Sequence, residues 1–137
     1  MRMAIQIALS LLLIAAPAHA ETLFERLGGM DTITRISDRT IDIAAADPLI
    51  GPHWEESNLV RVKAKLAEQI CELAGGPCKY TGNDMVQVHK PFKFTNADFN
   101  RLVENLQQAM DESDIDHATQ NRLLALLAPM QREIVTR

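Results

Sequence analysis

The sequence predicts an all-α fold, and three observations carry that prediction. Apolar residues recur at i, i+3 and i+4 along separate stretches of the chain, the signature of amphipathic helices. Two segments, T-L-F-E at 22–25 and T-N-A-D at 95–98, have the form of a capping box, in which side chains satisfy the free amides of a helix start. No stretch shows the alternation of β-branched residues expected of a strand.

The chain opens with a segment of a different kind. Residues 1–20, MRMAIQIALSLLLIAAPAHA, combine an early charge at Arg2, an apolar run over 7–16 and a small-x-small ending at Ala18, His19 and Ala20. This is the three-part pattern of a secretory signal. The run is shorter than the roughly 20 residues a membrane span takes, so cleavage after Ala20 is expected rather than an uncleaved anchor. The expected mature domain is 21–137, exported to the periplasm or secreted, with no stable membrane insertion after cleavage. It has the length of one domain with one core.

The elements then follow in order. A very short helix starts at Thr22 and ends at Gly28-Gly29. A second runs from Asp31, with Ile33, Ile36, Thr40 and Ile43 on one face widened by Ile41, and stops near Asp47 because Pro48 disfavours helical geometry there. A third starts near Asn58, carries Leu59, Val62, Leu66, Ile70 and Leu73, and ends at Gly75-Gly76-Pro77. After a polar loop over 75–83, only one or two helical turns fit before Pro91. The helix behind Thr95 carries Phe99, Leu102, Val103, Leu106 and Met110. In the last, with Leu123, Leu124, Leu126, Leu127, Met130 and Ile134, Pro129 is expected to kink or break the helix.

Charge and cysteine usage narrow the function classes. Removal of Arg2 from the 14 Lys and Arg leaves 13 against 18 Asp and Glu, so the formal charge moves from -4 to -5. An acidic domain without a basic cluster is a poor partner for nucleic acid. Cys71 and Cys78 are the only cysteines. In an oxidising compartment they are expected to form a disulfide, with free buried thiols and a metal site as the alternatives.

Among the chemistry-bearing residues, His53, His89 and His117 remain in the mature chain. Spacing alone leaves His89 open as a ligand or as an ordinary half-buried residue, and His117 reads as a surface residue at a helix start. There is no phosphate-binding glycine loop and no nucleophile elbow. The tiny first helix, the long loop and the short segment bearing His89 suggest a fold that makes space for a cofactor.

Several segments together resemble the truncated haemoglobins, the small two-over-two helical globins, and most closely their group I. They are LFERLGG, ADPLI, LAGGPCKYTG, DMVQVH, FTNADFNRLVENL and LLALLAPM, in order over nearly all of the mature chain. The resemblance implies haem b, with its iron ligated on one side by His89 and open on the other to a diatomic gas: oxygen, nitric oxide or carbon monoxide. It gives the glycines of the loop a purpose, since they let the chain swing around the haem edge to bring His89 to the iron.

The resemblance also implies the remaining contacts. The distal wall is Thr40 or Ile41 from the second helix with Val62, Leu66 and Ile70 from the third. Trp54 falls where these globins usually have a Phe on the haem face, and its larger ring and N–H leave open a tilted haem or a reach to the ligand. Tyr80, Met85 and Phe94 stand in the matched segments around the histidine. Lys63 and Lys65 are expected to pair with haem propionates, or else to be solvated charges.

The sequence departs from the family at Ile41 and Leu66, where members that hold oxygen tightly often carry tyrosine and glutamine. A hydrogen bond to a bound dioxygen, which carries partial negative charge, contributes roughly 1.5 to 3 kcal/mol. Without it, tight oxygen storage and nitric oxide dioxygenation are not expected unless Thr40, Gln69, His53 or Trp54 supplies a donor. His53 as a sixth iron ligand is a further alternative. The expected function is reversible gas binding for sensing, scavenging or oxygen transport, with a redox partner. The alternatives are haem-dependent conversion of nitric oxide or peroxide, and a haem-free exported interaction domain.

Overall fold

The computed structural model describes residues 14–136, so most of the expected leader over 1–20 lies outside the described residues. No helix among the described residues is long and apolar enough to cross a membrane.

Helix α1, Leu23–Arg26, is held by the expected capping box: the Glu25 N–H donates to Thr22 Oγ1 at 3.1 Å and the Thr22 N–H to the Glu25 carboxylate at 2.8 Å. Helix α2, Gly29–Ala46, begins two residues before the expected Asp31. Gly28, at φ 89°, makes that tight entrance, and a Cβ there would lie 2.6 Å from Thr32 Oγ1. The helix ends before Asp47 and Pro48, as the proline dictates. A 3-10 turn over Gly51–Trp54, which periodicity does not reveal, leads to α3, Leu59–Leu73, capped by the Asn58 side chain.

Asp84 caps α4, Met85–His89, and a 3-10 turn over Lys90–Phe92 contains Pro91. The second capping box, Thr95 with Asp98, starts α5, Asn96–Glu112. Helix α6, His117–Leu127, breaks into a 3-10 turn over Ala128–Met130 at Pro129 before the short α7, Gln131–Ile134. His117 is exposed in the first turn of α6.

The long helices pack as a two-over-two sandwich, with α2 against α3 and α5, and α6 against α1, α3 and α5. The core between them is continuous: Leu27 and Ile33 from the N-terminal end, Ile70 and Cys71 from α3, Met110 from α5 and Leu123 from α6 are all fully buried. Burial of each such Leu or Ile contributes about 1.5 to 3 kcal/mol. Polar ties fix how the layers meet. The half-exposed Arg101 on α5 donates to Asp47 at the end of α2 over 2.5 Å, and Arg26 on α1 donates to Thr119 on α6 over 3.0 Å. Cys71 in the last turn of α3 is bonded to Cys78 in the following loop, with their Cα atoms 5.7 Å apart.

The core lies toward the α1 end of the sandwich. At the other end the layers do not close on one another. Helix α4 has only five residues and α7 only four, and they pack together at that end without filling the space.

Candidate functional site

The space left open is a cavity of about 440 Å³. That is within the roughly 300 to 1,000 Å³ of small-molecule and cofactor sites. One wall is Thr40 and Ile41 of α2 with Val62, Leu66 and Gln69 of α3. The facing wall is Val88 and His89 of α4, Phe92 and Phe94, and Phe99, Leu102 and Val103 of α5. Leu127, Met130 and Ile134 close the end, and the exposed Arg61 and Asn83 stand where the cavity meets solvent.

His89 is the one titratable group set into the apolar wall facing α2 and α3. Its Nδ1 is 2.8 Å from the carbonyl oxygen of Met85, one turn earlier on α4. That carbonyl, of the first residue of a five-residue helix, accepts from the ring when Nδ1 carries the proton. Burial pushes the imidazole pKa below its ordinary value, and the bond to Met85 opposes the shift in part. A neutral ring protonated at Nδ1 keeps a lone pair on Nε2, the form in which histidine serves as a metal ligand.

The ring of Phe94 packs on two histidines, 5.5 Å from the centroid of His89 and 4.5 Å from that of His53. His53 Nε2 is in turn 3.4 Å from Asp98 Oδ2, within the capping box of α5. His53 thus lies beside Phe94, with Asp98 as its partner. It also lines the cavity, together with Trp54 of the same 3-10 turn.

Of the donors that could replace a missing tyrosine or glutamine, Thr40 and Gln69 have defined partners and Trp54 does not. The Thr40 hydroxyl donates back to the Ile36 carbonyl at 2.7 Å. The Gln69 amide lies 3.3 Å from the sulfur of Met85 and 3.4 Å from that of Met130. Trp54 lines the cavity, while its Nε1 is buried and finds no acceptor. The wall opposite His89 is therefore aliphatic where Ile41, Val62 and Leu66 meet.

Two expected cavity residues lie elsewhere. Lys63 points away to Asp42 on α2, with Nζ 2.6 Å from Oδ1, because it is one residue past Val62 and so about 100° around the helix. Ile70 is fully buried in the core, one turn beyond Leu66, where α3 has passed from the cavity into the packed end of the sandwich. Thr40, Ile41, Trp54, Val62, Lys65, Leu66, Tyr80, Met85, His89 and Phe94 all line the cavity.

Lys65 donates to both oxygens of Glu68, at 3.0 and 3.1 Å, and to Thr81 Oγ1 at 2.5 Å. The Tyr80 hydroxyl donates to the Asn83 carbonyl at 2.7 Å, and desolvation raises its pKa. Arg61 is the cation the sequence reading missed. It lines the cavity, is exposed, and makes no ion pair among the described residues. Its position one turn before Lys65 was the available signal. The α5 stripe of Phe99, Leu102 and Val103 was legible as buried, but periodicity does not separate a core face from a cavity wall.

These residues fit a flat, largely apolar cofactor with acidic substituents. They offer aliphatic and aromatic walls, two histidines, of which His89 has its Nδ1 bonded and Nε2 free, and Arg61 and Lys65 at the rim. Among the described residues no three His, Cys, Asp or Glu side chains gather to hold a bare metal ion.

A two-over-two helical sandwich open at one end around an apolar, histidine-bearing cavity defines a globin of the truncated kind. Residues 22–136 match the bacterial-like globin family, and the chain belongs to that family. It is similar to the group 1 truncated haemoglobin of Mycolicibacterium paratuberculosis, 27% identical over 119 residues that cover 87% of this chain and 88% of the relative. In fold it is similar to the truncated haemoglobin of Tetrahymena pyriformis, with a TM-score of 0.81 and 20% identity over 85% of this chain and 100% of that one. It is also similar to the group II truncated haemoglobin of Bacillus anthracis, in a Trp-to-Leu mutant, with a TM-score of 0.77 and 23% identity over 86% of this chain and 92% of that one. Membership in the globin family implies haem binding.

Proposed function

We propose that this protein binds haem b and reversibly binds a diatomic gas, with His89 as the single protein ligand to the iron. The observation that carries the reading is the bond from His89 to the Met85 carbonyl, which fixes the ring and leaves Nε2 as its only lone pair. Bound haem would supply an iron centre with one coordination position free for a small ligand. Thr40, Ile41, Val62 and Leu66 would shape the space around that position. Arg61 and Lys65 would face the propionates, and Trp54, Tyr80, Met85 and Phe94 would pack against the macrocycle.

The committed Thr40 hydroxyl and the aliphatic Ile41, Val62 and Leu66 favour gas binding over peroxide turnover, which draws on polar groups close to the iron. Weak hydrogen bonding there favours carbon monoxide or nitric oxide over tightly held oxygen. Reversible binding needs ferrous iron, so an electron-donating partner belongs to the proposal. Export from the cytoplasm is part of it too, supported by the pattern of residues 1–20 and by a disulfide of the kind found in oxidising compartments.

The test is the visible spectrum of the haem-loaded protein, ferric, ferrous and ferrous with carbon monoxide, beside His89→Ala. The expected result is a strong haem band that shifts with carbon monoxide and weakens or changes in the variant. A wild type without a haem band overturns the cofactor assignment, and an unchanged spectrum in the variant overturns His89 as the ligand.

A further inference from the structure

Between Ala74 and Asp84 the chain crosses from one wall of the cavity to the other. Polar contacts to α3 hold this loop, among them Lys65 Nζ to Thr81 Oγ1 at 2.5 Å and Lys79 Nζ to Glu72 at 3.6 Å. The Gly76 N–H donates to the Cys71 carbonyl at 2.8 Å, the Tyr80 N–H to Glu72 at 2.9 Å and the Thr81 N–H to Glu68 at 3.0 Å. The covalent attachment is Cys71 to Cys78. Immediately after it, Tyr80, Gly82 and Asn83 line the cavity, and Asp84 caps the helix that ends in His89.

The two sulfurs have unlike surroundings. Cys71 is fully buried, and the chain at Gly76 is packed so closely on it that a Cβ there would lie 2.7 Å from Cys71 Sγ and 2.4 Å from the Phe24 ring. Cys78 is half-buried, its sulfur 3.7 Å from that of the exposed Met30. An external thiolate therefore reaches Cys78 rather than Cys71. Once unbonded, the sulfurs must separate to non-bonded contact, roughly 3.5 to 4 Å. Cys71 is fixed in a close-packed core, so the displacement falls on Cys78, two residues before Tyr80.

We propose that the Cys71–Cys78 disulfide is a redox switch on the cavity wall formed by Tyr80, Gly82 and Asn83, operated by a dithiol. The proposal rests on the reading of the cavity as the ligand site. A thiolate of the dithiol attacks Cys78 Sγ and forms a mixed disulfide, releasing Cys71 as a thiolate that takes up a proton. The second thiol of the dithiol, as its thiolate, then attacks the same dithiol's sulfur in the mixed disulfide, and Cys78 leaves and is protonated. The protein gains two electrons and two protons, and the dithiol departs oxidised to its own disulfide. In the oxidised form the loop is pinned to α3 and the wall is tight. In the reduced form the loop is held by hydrogen bonds and an ion pair alone, chiefly to Glu68 and Glu72, and the cavity opens more readily.

The test compares the full haem-loaded chain in three states: oxidised, reduced with dithiothreitol that is then removed without oxygen, and as Cys78→Ser. Free thiols are counted by alkylation and mass. Amide exchange at Tyr80 and Thr81 is expected to quicken about tenfold or more on reduction, and carbon monoxide association to quicken about threefold or more. Cys78→Ser is expected to match the reduced protein and to ignore the reductant. Unchanged amide exchange after verified reduction overturns the switch, and faster exchange with an unchanged association rate overturns its link to the cavity. A failure of the haem reading shows separately, as a missing haem band in the oxidised protein. The exchange at Tyr80, on the wall itself, and at its neighbour Thr81 then decides the switch.

Discussion

The Thr81 N–H donates to the carboxylate of Glu68 at 3.0 Å, and this contact fastens the loop at the cavity's edge to the helix that forms its wall. Three donor groups converge on Glu68. The Thr81 amide, then Lys65 and the Thr81 hydroxyl, hold its pKa down to about 2 from an ordinary 4.5.

A depressed carboxylate pKa stabilises the fold fully above the unfolded value and loses that contribution as pH falls toward the folded one. The loop fastening is therefore expected to be complete above pH 4.5 and to fade between there and about 2. Thermal unfolding of the wild type and Glu68→Gln as a function of pH checks this. The two curves should be separated at neutral pH and converge near the acid end of that window. A separation that does not change with pH would show that the charge is not what matters.

Leu66→Gln places an amide on the aliphatic wall opposite His89 with little change in volume. A hydrogen bond to a polarised ligand contributes about 1.5 to 3 kcal/mol, so oxygen dissociation is expected to slow by roughly ten- to a hundred-fold. Carbon monoxide, less polar when bound, should change much less. Stopped-flow displacement of each gas measures both rates, and equal changes for the two gases would point to a steric effect instead.

Gly76→Ala tests the packing of the loop on Phe24 and Cys71. The added Cβ would meet the Phe24 ring at 2.4 Å and Cys71 Sγ at 2.7 Å, and neither neighbour is the free end of a flexible chain. A loss of about 1 to 3 kcal/mol is expected, read from urea unfolding as a lower midpoint at unchanged slope. A variant as stable as the parent would mean that the loop moves aside freely.

The rim cations separate by haem retention. Lys63 is occupied by Asp42 away from the cavity, whereas Arg61 lines it without an ion pair among the described residues. Transfer of haem to a high-affinity scavenger is expected to quicken about two- to fivefold in Arg61→Met and to be unchanged in Lys63→Met. The reverse order would restore Lys63 to the site.

Much of this fold is legible in the sequence because its signals are local. The capping boxes at Thr22 and Thr95, the stop at Pro48 and the break at Pro129 act within one or two turns, and each structural element begins or ends where they place it. The 3-10 turn over Gly51–Trp54 has Pro52 in its first turn, but its placement also draws on a distant contact. That contact is made by Asp47, which binds the Leu49 amide on one side and Arg101 of a distant helix on the other.

The sequence by itself determined the helices, their order, the apolar face of each, and the resemblance that singled out His89. Only the tertiary structure decided which apolar residues wall a cavity and which fill a core. Leu66 and Ile70 lie one turn apart on the same stripe of α3, yet one lines the cavity and the other is sealed in the core. Helical period assigns a residue to a face. What that face meets depends on how the short α4 and α7 pack at the open end of the sandwich, a non-local fact of packing. The same reason separates Lys63 from Arg61: one finds Asp42 across the α2 and α3 interface, and the other is left at the rim.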